Sequence, residues 1–297
     1  MKYRDLGRTG LRVSVIGAGT WQFGGEWGHD FAQAEADAIL DRARELGVNL
    51  VDTAECYGNH VSERLIGDHL ARRGRDGWIV ATKFGHRYHR FMERSWHLAP
   101  DEVRGQLEES LRALRIERVD LYQFHSGSDE AFRNEALWDM LAEQKRRGKI
   151  GHLGVSIQGK GSDVQVREAS AVGAEVLQVV YNRLDRRPEA SVFPQAERDG
   201  LGILARVPLA SGFLTGKYKP GARFTGEDVR ATFDAADVER KLREVQDLAA
   251  HEVPPGLPMA QWALAWCLRN PLVSSVIPGA RDPRQVEMNA AAADVVL

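Results

Sequence analysis

Residues 119–157 read VDLYQFHSGSDEAFRNEALWDMLAEQKRRGKIGHLGVSI, and the spacing of their apolar residues changes twice along the stretch. The runs 119–125 and 150–157 are short and largely apolar, which is typical of buried strands. Between them, residues 130–147 have the apolar spacing of an amphipathic helix. The stretch therefore predicts a strand, a helix and a second strand, the unit from which parallel sheets are built.

The same unit recurs along the chain. Strands are predicted at 13–18, 48–54, 78–83, 119–125, 150–157, 176–182, 203–208 and 273–278, and helices at 33–46, 62–73, 101–114, 130–147, 189–198, 238–250 and 259–269, with short helices after Ser162 and from Pro283. Eight such units predict an α/β protein, a closed (β/α)8 TIM barrel that forms a single domain over residues 1–297. Residues 2–13 predict a short N-terminal β-hairpin that caps the barrel bottom.

A doubly wound open sheet would show the same alternation, and it usually carries a G-x-G-x-x-G motif at its first strand-to-helix turn. Gly17-Ala18-Gly19 begins such a motif, but Gln22 stands where the third glycine belongs. No helix is predicted to start there. The barrel is therefore the favoured architecture.

The composition excludes several classes of protein. The chain is 43% hydrophobic and 28% charged, with a net charge of -2, which gives no reason to expect nucleic acid or an anionic membrane as a partner. Cys56 and Cys267 lie far apart, so we expect neither a disulfide framework nor a thiolate metal site. No apolar run approaches the roughly 20 residues of a membrane span, and the amino terminus is polar. We expect a cytoplasmic protein without a signal peptide.

Polar residues recur where the predicted strands end. They are Asp52, Lys83, His125, Ser156, Gln178 and Arg206. Each one alone is compatible with an ordinary transition from strand to solvent. In a β/α barrel, however, the carboxyl ends of the strands share one face, which holds the active site. Three long loops, 19–31, 84–99 and 210–237, follow strands onto the same face, and long loops in compact domains usually have a function.

Three of these positions suggest acid–base chemistry. Lys83 would be buried among loops, where an ammonium group needs a carboxylate, and Asp52 on the adjacent strand is the natural partner. A lysine beside Tyr57 would stabilise the phenolate, so we expect the tyrosine pKa to fall from about 10 toward working pH. Tyr57 is then the predicted proton donor. His125 is placed to hydrogen-bond a substrate carbonyl and polarise it.

Seven motifs follow one another in a characteristic order. They are Asp52-Thr53-Ala54-x-x-Tyr57-Gly58-Asn59, Ala81-Thr82-Lys83, Asp120-Leu121-Tyr122-Gln123-Phe124-His125, Gly154-Val155-Ser156, Gln178-Val179-Val180-Tyr181-Asn182, Gly212-Phe213-Leu214-Thr215-Gly216-Lys217 and Ile277-Pro278-Gly279-Ala280. With these motifs, nearly the whole chain resembles the aldo-keto reductases. The resemblance implies a catalytic tetrad of Asp52, Tyr57, Lys83 and His125, with hydride delivered from C4 of a nicotinamide.

The resemblance also implies a dinucleotide site. Ser156 and Gln178 would hold the nicotinamide carboxamide, and the remaining cofactor residues would be Thr20, Trp21, Asp52, Arg206, Leu209, Ser211, Gly212, Lys217, Arg223, Gly279, Arg281, Gln285 and Asn289. Many relatives place an aromatic ring at the position of Arg206, but a planar guanidinium can also stack on a ring. Arg281, Arg284 and Lys217 could meet a 2′-phosphate, which favours NADP(H) and leaves NAD(H) possible.

The substrate is expected to be a small carbonyl compound or alcohol. Its pocket is assigned to Trp21, Trp27, Tyr57, Tyr88, Trp96 and His125, with Phe91 nearby. His86, His89 and His97 in the loop 84–99 have no acidic or thiolate ligands close to them in the sequence, so no metal site is predicted.

The sequence thus predicts an NAD(P)H-dependent oxidoreductase that reduces aldehydes and ketones, reversibly, with Tyr57 as the general acid. Two alternatives stay open at this point. One is an NADP(H)-binding regulatory or sensor subunit with little turnover. The other is a barrel aldolase in which Lys83 forms a Schiff base.

Overall fold

A ring of eight parallel strands forms the centre of the structure, a computed structural model that describes residues 1–297. The chain has twelve strands, eight in the ring and four in two hairpins: β1 (Tyr3–Asp5), β2 (Arg12–Ser14), β3 (Ala18–Gly19), β4 (Leu50–Asp52), β5 (Ile79–Phe84), β6 (His86–Arg90), β7 (Glu93–Trp96), β8 (Val119–His125), β9 (Ile150–Ser156), β10 (Val176–Val180), β11 (Gly202–Arg206) and β12 (Val273–Val276). The strands β3, β4, β5, β8, β9, β10, β11 and β12 lie side by side in that order.

The ring closes between its first and last strands. The amide of Gly17 donates to the carbonyl of Val276 at 2.8 Å, and that of Gly19 donates to Pro278 at 3.0 Å. The strands approach so closely that a Cβ on Gly19 would lie 2.6 Å from the carbonyl oxygen of Ile277. The predicted (β/α)8 barrel is confirmed, and Gly19 serves strand closure.

Helices surround the barrel. They are α1 (Gln33–Glu45), α2 (Val61–Arg73), α3 (Pro100–Leu114), α4 (Asp129–Phe132), α5 (Glu135–Arg146), α6 (Asp163–Glu168), α7 (Pro188–Ser191), α8 (Phe193–Asp199), α9 (Ala235–His251), α10 (Met259–Leu268) and α11 (Pro283–Ala291). In α3, Val103, Leu107, Leu111 and Leu114 are buried on one face, as the spacing of three to four residues requires. None of the helices combines the length and hydropathy that a membrane span needs.

The predicted hairpin is present and covers the bottom of the barrel. β1 and β2 pair antiparallel, and between them Leu6 is fully buried. Its side chain belongs to a small apolar cluster with Leu50, Leu121 and Leu204, near the amino-terminal parts of three barrel strands. The turn begins at Gly7 with a φ of +53°, so close to β11 that any Cβ would clash with its backbone.

Two predicted elements differ from the structure. The strand predicted at 13–18 is divided, because residues 12–14 pair in the hairpin, whereas Ile16 bridges to Val276 of β12 and Ala18 and Gly19 pair with β4 in the barrel. The loop predicted at 84–99 contains the antiparallel pair β6 and β7, whose residues are too polar to show an apolar strand pattern. This second hairpin, β6–β7, rises from the same face as the polar strand ends.

Two predicted helices are interrupted. The helix predicted at 130–147 ends at Phe132 and restarts at Glu135, and the indole of Trp138 donates to the carbonyl of Phe132 across the break. The helix predicted at 189–198 divides at Val192, before Pro194, which has no amide hydrogen to continue the pattern.

Candidate active site

The buried ammonium of Lys83 is the centre of the candidate site. Lys83 lies near the carboxyl end of β5, which pairs with β4, and its Nζ lies 2.6 Å from Oδ1 of Asp52. It also donates to the carbonyl of Thr53 at 2.7 Å and to the Tyr57 hydroxyl at 3.3 Å. Lys83 is fully buried, so all three hydrogens of its ammonium group have partners without water.

The second carboxylate oxygen of Asp52 is also occupied. It accepts from the amide of Gln178 at 2.8 Å and from that of Gln123 at 3.1 Å. These two side chains come from β10, across the barrel from Asp52, and from β8, which only β5 separates from β4. The carboxylate is therefore held from two directions, which fixes the position of Lys83. The role of Gln123 was missed by the sequence analysis, which considered only residues at strand ends.

The pKa of Tyr57 differs from the sequence expectation. Burial raises the pKa of Tyr57 to about 12, although the neighbouring Lys83 acts in the opposite direction. The expected net lowering was wrong, because the cost of placing a phenolate here exceeds the stabilisation by one cation that Asp52 already pairs. At neutral pH, Tyr57 therefore keeps its proton.

Lys83 and His125 differ in protonation state. Burial alone would lower the pKa of Lys83, but the charge of Asp52 and the hydrogen bonds to Asp52 and Tyr57 raise it above its usual value. Burial, followed by the influence of His86 and Lys83, holds the pKa of His125 well below its usual range. The ring centres of Tyr57 and His125 lie 6.2 Å apart. The site thus has a protonated amine, a protonated phenol and a neutral imidazole.

A cavity of about 630 Å³ opens beside this group, with Asp52 and Tyr57 in its wall. Thirteen of the predicted cofactor residues line it: Thr20, Trp21, Asp52, Gln178, Arg206, Leu209, Ser211, Gly212, Lys217, Gly279, Arg281, Gln285 and Asn289. Ser156 and Arg223 do not line it, and neither do Lys83 and His125, which lie behind and beside Tyr57. The volume is within the range of about 300–1,000 Å³ for small-molecule and cofactor sites.

Polar groups near the cavity lack partners within the protein. The buried hydroxyl of Ser156 has none, although Ser156 pairs with Gln178 in the sheet. Arg206 donates to the carbonyl of Ile157 at 2.9 Å, and its Nε has no partner. Buried polar groups are normally satisfied, so these donors are available for a polar ligand such as a carboxamide.

Arg230, which the sequence analysis missed, lies in the cavity wall. Its guanidinium makes a bidentate pair with Asp228 and lies 4.8 Å from the Tyr218 ring centre and 5.4 Å from that of Trp27. Arg223, which was predicted instead, is exposed and donates only to nearby backbone carbonyls. The two arginines lie in the same irregular loop, where no spacing rule distinguishes them.

The predicted substrate residues divide into two groups. Trp21 and Trp27 line the cavity and contact each other edge to face, with ring centres 5.1 Å apart. Trp21 also lies 6.2 Å from the ring of Tyr57. Tyr88 and Trp96, on the β6–β7 hairpin, do not line the cavity, and 54% of Trp96 is exposed.

One premise about the histidines was wrong. The sequence shows no acidic or thiolate group near His86, but the fold brings Glu55 and Cys56 against it. The amide of His86 donates to Glu55 at 2.9 Å, and the ring of His86 stands perpendicular to that of His125, 4.7 Å away. Burial raises the pKa of Glu55 to about 8 and lowers that of His86 to about 4.

Comparison with known proteins agrees with this geometry. The model of the Aldo/keto reductase family matches residues 15–297, and the chain therefore belongs to this family of oxidoreductases, which use nicotinamide cofactors. A probable voltage-gated potassium channel subunit beta from rice, Oryza sativa subsp. japonica, is 33% identical, over 100% of this chain and 92% of the relative. An uncharacterized oxidoreductase from Bacillus subtilis is 32% identical, over 99% of this chain and 92% of the relative.

Two solved structures have the same fold. An aldo-keto reductase from Bacillus halodurans in its holo form superimposes with a TM-score of 0.83 at 28% identity, over 100% of this chain and 92% of that structure. The glycerol dehydrogenase from Gluconobacter oxydans has a TM-score of 0.83 at 28% identity, over 97% of this chain and 88% of that structure.

Proposed function

We propose that this protein is an NAD(P)H-dependent reductase that converts small aldehydes and ketones to alcohols, in a reversible reaction. One observation carries the proposal: the fully buried Lys83 ammonium joins the Asp52 carboxylate to the Tyr57 hydroxyl at the wall of a large cavity. Burying an isolated charge is unfavourable, and a tyrosine does not need a cation beside its hydroxyl in order to pack. Packing alone therefore does not explain why Lys83 lies here. The arrangement is suited to stabilising a negative charge on the Tyr57 oxygen.

The cavity supports a dinucleotide as the cofactor. When bound, a reduced nicotinamide dinucleotide supplies a hydride to the carbonyl carbon. Gln178 and the unpartnered hydroxyl of Ser156 would hold the carboxamide end, with Arg206 beside the ring. Arg230 and Lys217 would face the phosphates, since both are cationic and line the cavity. We further propose NADP(H) as the preferred form.

The residues of the chain supply the proton and the polarisation. Tyr57 is protonated at neutral pH and would donate its hydroxyl proton to the carbonyl oxygen as the carbon gains a hydride. Lys83 would stabilise the resulting phenolate, and Asp52 holds Lys83 in place. The neutral ring of His125 would donate a hydrogen bond from its N–H group to the carbonyl oxygen and so polarise the carbonyl group. The carbonyl thus becomes an alcohol, and Tyr57 regains a proton from solvent.

A direct assay tests this proposal. Purified protein should show aldehyde-dependent loss of NADPH absorbance, and Tyr57→Phe should lower kcat/KM by about 10²- to 10⁴-fold, the usual contribution of a general acid. Tyr88→Phe is the matched control, because that hydroxyl lies outside the cavity wall. Equal activity of Tyr57→Phe and the wild type would reject Tyr57 as the acid.

A regulatory role is the second candidate, and the name of the rice relative favours it. It predicts tight NADPH binding without turnover on a broad panel of carbonyl compounds. The complete set of Asp52, Tyr57, Lys83 and His125 supports turnover instead. The Schiff-base alternative is disfavoured by the raised pKa of Lys83, because a protonated amine is not a nucleophile.

A further inference from the structure

A second group of chemically reactive side chains lies next to Tyr57. It consists of Glu55, Cys56, His86 and His125, which together we term the Glu–Cys–His–His cluster. Each offers one possible ligand atom, and the four atoms lie within 4.8 Å of one another. Only His125 has a part in the proposed reduction. The side chains come from the turn after β4, the start of β6 and the end of β8, so the barrel rim holds them in place.

Two polar atoms of the cluster have no partner within the protein. Glu55 is 3% exposed, and its Oε1 accepts the amide hydrogen of His86, but its Oε2 accepts nothing. The buried Nδ1 of His86 is also without a partner. A buried polar atom left unpaired costs about 1–3 kcal/mol. Two of them in one small cluster point to a ligand that both can bind.

The geometry is close to that of a tetrahedral metal site. The Sγ of Cys56 lies 3.7 Å from Nδ1 of His125, and the two imidazole rings are perpendicular. Metal–ligand bonds of about 2.0–2.3 Å in a tetrahedral zinc site separate the ligand atoms by roughly 3.5 Å. The most distant pair would therefore need to approach by about 1 Å when the metal binds.

The charges around the cluster are compatible with a cation. Outside the cluster, the basic side chains that act on His125 are Lys83, Arg206 and Arg94. Lys83 pairs with Asp52 at 2.6 Å and Arg94 pairs with Glu26 at 2.7 Å, whereas Arg206 donates to the carbonyl of Ile157. Glu55 and the thiolate of Cys56 would then supply two negative charges to a divalent ion. Cys56 is 1% exposed, so the site would also be shielded from water.

We propose that Glu55, Cys56, His86 and His125 bind one Zn²⁺ ion. A thiolate, two imidazoles and one carboxylate form a mixed set of nitrogen, sulfur and oxygen donors that suits Zn²⁺. The thiol of Cys56 loses its proton when it binds the metal. The proposal does not depend on the reductase activity, because metal binding is measured without substrate or cofactor.

Cobalt is the spectroscopic probe for this site. Titration of the metal-free full-length protein with Co²⁺ should reach saturation at one equivalent, with a thiolate-to-cobalt charge-transfer band and the strong visible bands of tetrahedral Co²⁺. Added Zn²⁺ should remove both features. Absence of the charge-transfer band in the wild-type protein would overturn the proposal, and this result requires no variant.

Variants assign the ligands. Cys56→Ser should abolish the charge-transfer band, whereas Cys267→Ser, at the other buried cysteine, should keep it. His86→Gln should weaken Zn²⁺ binding by more than the about 100-fold that losing an outer-shell partner can cost. His89→Gln is its control in the same hairpin, and it should bind as the wild type does. Equal affinities of the two histidine variants, both folded by circular dichroism, would reject the site.

Discussion

The ammonium nitrogen of Lys83 lies 3.3 Å from the hydroxyl oxygen of Tyr57 and 5.0 Å from the centre of its ring. The cation therefore contacts the phenol both at its oxygen and over its face. Burial nevertheless keeps the pKa of Tyr57 at about 12. Tyr57 is therefore a neutral, protonated acid at rest, and the positive charge of Lys83 stabilises the phenolate that forms when the proton is donated.

Replacing Lys83 should affect both stability and catalysis. Lys83→Met leaves the buried Asp52 carboxylate without its cation, and we expect a loss of about 3–5 kcal/mol in the free energy of unfolding. Carbonyl reduction should also fall, because the phenolate of Tyr57 loses its partner. Urea unfolding and steady-state rates measure the two effects.

The control for this variant is Lys149→Met. Lys149 pairs with Glu108 at the surface, where both side chains are partly exposed, so its loss should cost no more than about 1 kcal/mol. A double variant, Lys83→Met with Asp52→Asn, removes both buried charges and should recover part of the stability but not the activity. Equal destabilisation by the two lysine variants would contradict the buried ion pair.

The two directions of the reaction should depend differently on pH. With a pKa of about 12, Tyr57 is protonated between about pH 6 and about pH 9, so kcat/KM for reduction should be flat there. His125 is neutral over the same range, since its pKa is well below its usual value. Alcohol oxidation needs the phenolate, and its kcat/KM should rise about tenfold for each pH unit.

Initial rates with chelator-treated protein check this pH dependence. Profiles of both directions should be taken at constant ionic strength, with Tyr57→Phe as the background. A decline of reduction through a group near neutral pH would show that another residue donates the proton, or that the bound cofactor has lowered the Tyr57 pKa.

The sequence predicted that the four residues of the proposed tetrad lie together, because a simple rule applies to three of them. Asp52 and His125 end their strands and Lys83 is the last residue but one of the strand between them, and strand ends in a barrel meet on one face. The rule does not apply to the β6–β7 hairpin, because the orientation of the hairpin on the barrel depends on tertiary contacts that the sequence pattern does not show. His86 therefore could not be placed beside Glu55. The single domain over residues 1–297 stays a prediction.

The error about the pKa of Tyr57 has a different cause. The sequence identified the cation that favours the phenolate, and that effect is present with the expected sign. The opposing effect is burial, which depends on how many loops cover the site. No motif encodes that quantity, since the covering residues come from several parts of the chain.

The hairpin that covers the barrel bottom should contribute stability without affecting catalysis. Leu6 is fully buried in the small apolar cluster, so Leu6→Ala should lower the free energy of unfolding by about 2–5 kcal/mol. The active site lies at the other end of the barrel, so kcat/KM at low temperature should stay near the wild-type value. Val296→Ala, at an 89% exposed position, is the control. Urea unfolding and the carbonyl assay distinguish these outcomes.

Replacing Arg230 should weaken NADPH binding, whereas replacing Arg223 should not. Arg230→Gln removes a cation from the cavity wall, and losing a charge-assisted hydrogen bond of about 1.5–3 kcal/mol corresponds to roughly 10- to 100-fold weaker NADPH binding. Arg223→Gln should change the dissociation constant by no more than about twofold, as exposed substitutions usually do. Quenching of tryptophan fluorescence measures both constants. The reverse order would return the phosphate contact to Arg223.

The proposed preference for NADP(H) should depend on Arg281. This residue lines the cavity together with Gln285 and Trp27, and one guanidinium nitrogen donates to the carbonyl of Trp27 at 2.6 Å, which holds the side chain in place. Its remaining donors are free to meet a 2′-phosphate, the only group by which NADPH and NADH differ. Arg281→Gln should therefore weaken NADPH binding by about 10- to 100-fold and leave NADH binding nearly unchanged.

Arg284 provides the matched control, because it is an exposed arginine on the first turn of α11, three residues after Arg281, and does not line the cavity. Arg284→Gln should change neither constant by more than about twofold. If Arg281→Gln weakened NADPH and NADH binding equally, the residue would be holding the adenosine or the Trp27 loop instead of a phosphate. Selectivity would then have to come from another cation at the cavity, and Lys217 is the remaining candidate.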